Sequence, residues 1–174
     1  MKPRPVIALA LPRAVGVESE AELADVELTT DDECRQVAAR VAEQLPDGLT
    51  LVSIEPAHGK PAASRVRAVD YLVDVTGEVD WDAALIRYLA ADQAVVTRSA
   101  PNKAAKRVNV RSFCSQIERV PAGLAARIEL TEAGTARPEE VATAVAATIG
   151  ATPTITRIVR TQIVLRELPV GATT

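Results

Sequence analysis

The first apolar positions form an unbroken run, Val6-Ile7-Ala8-Leu9-Ala10-Leu11, closed by Pro12 and Arg13, and predict a buried strand. Leu23 to Leu28, with Leu23, Val26 and Leu28 apolar among polar or small neighbours, predicts a second strand after a loop over 13–22. Thr30-Asp31-Asp32-Glu33 has the form of a capping box, in which hydroxyl and carboxylate each satisfy a free backbone N–H at a helix start. The helix it opens carries Cys34, Val37, Ala38, Val41 and Leu45 on one stripe and stops at Pro46-Asp47-Gly48. Leu49 to Ile54 alternates again, as a strand.

A polar connection over 56–64 leads to Val69, Tyr71, Val73 and Val75, which alternate with Asp70, Leu72 and Asp74 as a strand. Asp80 can cap a helix with the face Trp81, Ala84, Leu85, Tyr88, Leu89. Ala94 to Thr97 predicts the next strand. Val110, Phe113, Cys114 and Ile117 follow helical spacing, so a short helix or turn interrupts there. Leu124 to Leu130 is a strand. Pro138 suits a first helical position, Glu139 and Glu140 suit the positive helix end, Val141, Val145 and Ile149 point inward, and Gly150 stops the helix. Ile155 to Leu165 is the last strand.

This order predicts an α+β protein of two ferredoxin-like, split βαβ units. The first, over 1–60, is β-β-α-β and lacks its leading strand and helix; the second covers 65–168, and 169–174 is a tail. A unit that starts mid-topology leaves a sheet edge open, and the strand from Val6 to Leu11 is where a partner chain or a second copy of this one is expected to pair.

Composition narrows the function classes. The chain has 174 residues, 48% of them apolar and 25% charged, which is enough for a full core without metals or disulfides. Its aromatics are only Tyr71, Trp81, Tyr88 and Phe113, too few for a stacked platform for single-stranded nucleic acid. Cys34 and Cys114 fit neither a disulfide framework nor a CxxC motif and read as small, reduced core residues. The N-terminal apolar run is too short for a secretory core, and no segment reaches a membrane-spanning length, so a cytoplasmic protein is expected. The net charge of −3 divides unevenly: residues 1–96 carry 9 Lys and Arg against 17 Asp and Glu, and residues 97–174 carry 11 against 6.

Two charged groups follow from that division. Glu18, Glu20, Glu22 and Asp25 could coordinate a divalent cation or do acid–base work, or simply line a solvated strand edge. Arg98, Lys103, Lys106, Arg107 and Arg111, five cations in fourteen residues around Pro101-Asn102, could track a phosphate backbone, or answer the acidic first half. His58, the only histidine, has no nucleophile beside it in sequence, and one His with two Cys falls short of a zinc site. Neither GxGxxG nor GxxxxGK[ST] occurs, and CxxxCxxC is missing, so the chain offers no nucleotide loop and no iron–sulfur ligand set, and no cofactor is expected.

Leu11-Pro12, Val15-Gly16-Val17-Glu18-Ser19-Glu20 with Glu22, Asp25-Val26-Glu27 and Leu45-Pro46-Asp47-Gly48-Leu49 resemble the radical SAM-linked family, a bacterial domain of unknown function. Arg137-Pro138-Glu139-Glu140-Val141 and Ile155-Thr156-Arg157 resemble its ending. The resemblance implies a domain fused to, or encoded beside, a radical SAM protein, with members that carry a further N-terminal strand and helix of which only Arg4-Pro5 remains here. It carries no catalytic residues over. The expected function is a non-catalytic accessory or substrate-presenting module for a radical SAM enzyme, with RNA or a ribosomal component as the presented substrate. A metal-dependent enzyme built on Glu18, Glu20, Glu22 and Asp25, and a purely protein-binding module, are the rivals.

Overall fold

In the computed structural model, which describes residues 6–30, 32–57, 59–100 and 103–167, the N-terminal elements are slight. Asp31, His58, Pro101-Asn102, the segment 1–5 and the expected tail lie outside the described residues. Strand β1 (Val6–Leu9) pairs antiparallel with β3 (Ala24–Glu27), Ile7 opposite Val26, as a ribbon of two strands. The run expected to be buried is exposed along all of β1, because among the described residues no third strand and no α-helix covers the ribbon. Between them in sequence, β2 (Glu18–Ser19) joins a different sheet. Helix α1 (Cys34–Ala42) begins later than the capping box implied: Glu33 is the N-cap and its N–H donates to Gln36 Oε1, while Thr30 Oγ1 accepts from Asp32 N–H. Leu49 to Ile54 forms no strand; Val52 lies open to solvent with no neighbouring strand to hold it.

The second half builds β4 (Val66–Thr76), α2 (Trp81–Ala90), β5 (Val95–Ala100), β6 (Lys103–Asn109), β7 (Cys114–Val120), β8 (Gly123–Glu129), α3 (Pro138–Ala147) and β9 (Thr154–Leu165). Five strands share one sheet in the order β2-β9-β4-β8-β7. Its four long members are antiparallel neighbours in the order fourth, first, third, second, the arrangement a split βαβ unit requires. The strand expected at Ala94 to Thr97 is β5, but it leaves that sheet and pairs only with β6 as a separate hairpin. Its place is taken by β7. The helical spacing of Val110 and Phe113 belongs to one 3-10 turn that seats both in the core before the chain extends. The first half forms no comparable unit among the described residues: its ribbon stands apart, and β2 adds two residues in parallel to the edge strand β9.

Both long helices cover one face of the sheet. Asp80 Oδ1 accepts from Ala83 N–H at the start of α2, whose stripe Trp81, Ala84, Leu85, Tyr88 is buried against Val73, Leu124 and Ala126. Val141 and Val145 of α3 complete that core. The other end of the same face is covered by the N-terminal segment through Ala10, Leu11 and Leu23, with Ala62, over Val69 and Ile163. Buried apolar area of this kind contributes roughly 25 cal/mol per Å² and drives the assembly. The opposite face, with Asp70, Leu72, Asp74, Ala125, Arg127 and Glu129, is covered by no helix among the described residues, and none of these six is fully buried. No helix among the described residues is long and apolar enough to cross a membrane.

Candidate functional site

The four carboxylates of the acidic group do not converge. Glu18 accepts from Arg157 at 2.7 and 3.0 Å and so fastens β2 to β9. That hydrogen bond holds the Glu18 carboxyl below its usual range. Glu22 pairs with Arg160 at 3.2 Å, Asp25 accepts from the Ala62 N–H at 2.8 Å, and Glu20 contributes its backbone N–H to the Arg160 carbonyl. Among the described residues no three His, Cys, Asp or Glu side chains form a metal-binding group.

The basic group is also divided, by the strand that most of it occupies. On β5 and β6, Arg98 lies directly opposite Lys106, and Arg107 opposite Thr97. Side chains of neighbouring strand residues leave on opposite faces, so Arg98 and Lys106 share the face turned toward α3 while Arg107 leaves on the other. Lys106 and Arg107 are exposed, and neither has an ion-pair partner among the described residues. The side chain of Lys103 lies outside the described residues. Arg111 is elsewhere, in the 3-10 turn, 5.5 Å above the Tyr88 ring and donating to the Cys114 carbonyl at 3.1 Å. It packs the core rather than joining the hairpin's cations.

Arg98 anchors the hairpin. Its Nε and Nη2 donate to the two Glu140 oxygens, each at 2.6 Å, and Nη2 also donates to the Thr135 carbonyl at 2.8 Å. Glu140 in turn accepts from the Arg137 N–H at 2.9 Å, closing the start of α3. Burial alone would raise the Glu140 carboxyl, but the Arg98 hydrogen bonds and the Arg137 N–H outweigh it and hold it below the usual range. Between hairpin and helix lies a cleft of about 380 Å³ lined by Arg98, Lys106, Arg137 and Glu140, with Val96 and Ala104 on its apolar wall. Sequence reasoning selected Arg98 and Lys106 as site candidates but not Arg137 or Glu140, which it placed only at a helix start and in a segment of family resemblance.

Arg160 was missed altogether. It is 2% exposed, the one fully buried charged side chain among the described residues. Its Nη1 donates to the Leu11 carbonyl at 2.9 Å and to Glu22, and its Nη2 to the Pro12 carbonyl at 3.3 Å. It faces inward because the register of β9 against β4, which shifts at three places, slips between Asp70 and Tyr71 and again between Asp74 and Val75, so that Ile155, Ile158, Arg160 and Ile163 stand opposite Val75, Val73, Tyr71 and Val69. Tyr71, like Trp81, Tyr88 and Phe113, packs on the helix-covered side, so the open sheet face offers no aromatic for a base to stack on. The β1–β3 ribbon, by contrast, exposes Ile7 (61%), Leu9 (51%) and Val26 (48%), and no strand pairs with the far edge of β1 among the described residues.

A family described as an uncharacterised protein conserved in bacteria, DUF2344, matches residues 1–150. No curated protein matches the chain, and no solved structure does.

Proposed function

We propose that this chain, which belongs to the DUF2344 family of uncharacterised bacterial proteins, is a non-catalytic accessory protein that presents RNA to a radical SAM partner on its β5–β6 arm. The observation that carries the reading is the arm itself: a hairpin outside the main sheet, locked to α3 through Arg98 and Glu140, with Lys106 and Arg107 exposed on opposite faces. A phosphate backbone is contacted by such cations without base stacking, which suits a sheet whose open face has no aromatic. The partner class comes from the resemblance of the 11–27 and 45–49 segments to the radical SAM-linked family. In this reading the exposed Ile7, Leu9 and Val26 are the surface a partner packs against.

The test is fluorescence anisotropy of a labelled RNA across a salt series, with wild type beside Lys106→Glu/Arg107→Glu. The wild type is expected to bind with a negative slope of log K against log salt, each phosphate contact adding about 0.7 for a single strand. The double change is expected to weaken binding at least tenfold and to flatten the slope. Absence of binding at low salt, or a variant that binds like wild type, overturns the RNA part. Sedimentation addresses the ribbon: a dimer that Ile7→Lys dissociates would mean that the surface pairs with a second copy instead.

A further inference from the structure

We infer that the cleft between the β5–β6 hairpin and the start of α3 is a binding site for a phosphomonoester dianion. Two placements that local electrostatics disfavours meet there, beside a carboxylate that is already engaged. Lys106 stands directly opposite Arg98 on a two-stranded ribbon, where like charges repel. Arg137 is the N-cap of α3, so its positive charge sits at the positive end of a ten-residue helix, and its side chain makes no capping hydrogen bond. One carboxylate lines the cleft, and it is already spent: both Glu140 oxygens are held by Arg98, and one also by the Arg137 N–H. Lys106 and Arg137 therefore face the cleft without a carboxylate partner among the described residues. Two local rules broken at one cleft point to a site rather than to packing alone.

The charge of the lining selects the ligand. Among the lining residues Arg98 and Glu140 cancel, leaving two cations, while Glu139, near enough to act on Arg98, lies outside the lining. A phosphomonoester carries about −1.5 to −2 at neutral pH, whereas a carboxylate or an internal phosphodiester carries one. Arg98 still has Nη1 free of any hydrogen bond among the described residues, on a guanidinium whose plane Glu140 and Thr135 fix. Arginine so oriented suits planar recognition of phosphate oxygens. The volume, about 380 Å³, falls at the small end of ligand cavities and admits a phosphoryl group with the sugar behind it, along the wall formed by Val96 and Ala104. Two sources share this chemistry: a free phosphorylated metabolite of nucleotide size, and the phosphorylated end of a strand. The second deepens the RNA-presenting reading and rests on it; the first does not.

The experiment separates them. Titration calorimetry of the full chain with inorganic phosphate, adenosine 5′-monophosphate and adenosine is run beside anisotropy of RNA oligonucleotides of one sequence, ending in hydroxyls or bearing a 5′ or a 3′ phosphate. The monophosphate is expected to bind and adenosine not. One phosphorylated oligonucleotide is expected to bind about tenfold tighter than its hydroxyl twin, a difference that Arg137→Ala erases while the hydroxyl twin's affinity stays unchanged. Lys106→Gln is the second variant, and is expected to weaken the monophosphate as Arg137→Ala does. If RNA binds but phosphorylated and hydroxyl ends bind alike and neither small phosphate gives heat, this inference falls and the arm reading stands. If the monophosphate binds in an Arg137-dependent way and no RNA binds, the site stands as one for a metabolite and the RNA reading falls. If nothing binds, both fall.

Discussion

Replacing Arg98 by alanine removes three charge-assisted hydrogen bonds at once and leaves the Glu140 carboxylate behind. Arg98 is 27% and Glu140 13% exposed at the side chain, between the exposed pairs that contribute about 0–1 kcal/mol and the buried pairs whose breaking costs about 3–5 kcal/mol. We expect about 2 kcal/mol, which for a chain of this size lowers Tm by about 4–8 °C if the hairpin is coupled to global unfolding. Should the hairpin instead undock alone, the same free energy appears as roughly thirtyfold faster amide exchange over 95–100 and 103–109 with Tm almost unmoved. Either outcome is visible when melting and hydrogen exchange are measured together. A double-mutant cycle with Glu140→Ala isolates the pair, and its coupling is expected at about 1–2 kcal/mol. Coupling within about 0.3 kcal/mol of zero, with hairpin exchange unchanged, would refute the claim that this pair anchors the arm.

Three further outcomes follow from the geometry. Because Glu140 has a lowered folded-state pKa, its stabilisation is present above the ordinary carboxyl value of 4.5 and is lost as pH falls below it; Glu140→Gln is expected to melt below wild type at pH 7, with the gap closing on acidification. Gly123→Ala would bring a Cβ to 2.1 Å from the Val73 carbonyl oxygen, a backbone atom that cannot turn aside, and is expected to cost about 2–4 kcal/mol by denaturant melts. Cys114 is 3% exposed, and burial raises its thiol pKa more than Tyr88 and Arg111 lower it, whereas Cys34 is only half-buried. A maleimide is expected to label Cys34 first in native protein and Cys114 only on unfolding, as mass spectrometry of the two peptides will report.

The elements legible in the sequence are those whose signal is local. Asp80 and the stripe Trp81, Ala84, Leu85, Tyr88 announce α2, and alternation announces β4, β8 and β9. β6 was illegible because its one fully buried apolar residue, Val108, follows the exposed run Ala104 to Arg107 and makes no alternation with it; it is a strand only because β5 pairs with it. β1 has the composition of a core strand and sits on the surface, since what decides burial is a covering element, and none is present among the described residues. Within the site, Arg98 and Lys106 stood out by charge. The roles they take depend on Glu140, 42 positions from Arg98, and on a register that sends Arg107 the other way. Arg160 reads as an ordinary strand arginine, and only the slip in the pairing of β9 between Asp70 and Tyr71 turns it to the side of Ile163.

The buried Arg160 also sets an order of events. Its guanidinium joins carbonyls of Leu11 and Pro12, 149 and 148 positions earlier in the chain, and it lies on the strand that pairs Leu165 with Val66. During synthesis the 6–27 segment therefore leaves the ribosome well before β9 and finds its seat only when β9 has closed the sheet. Contacts so distant in sequence slow folding through the entropy of closing long loops. Until then Ala10, Leu11 and Leu23 lack the sheet they pack on, and with Ile7, Leu9 and Val26, which stay exposed in the folded chain, they form one longer apolar surface on the unfinished chain.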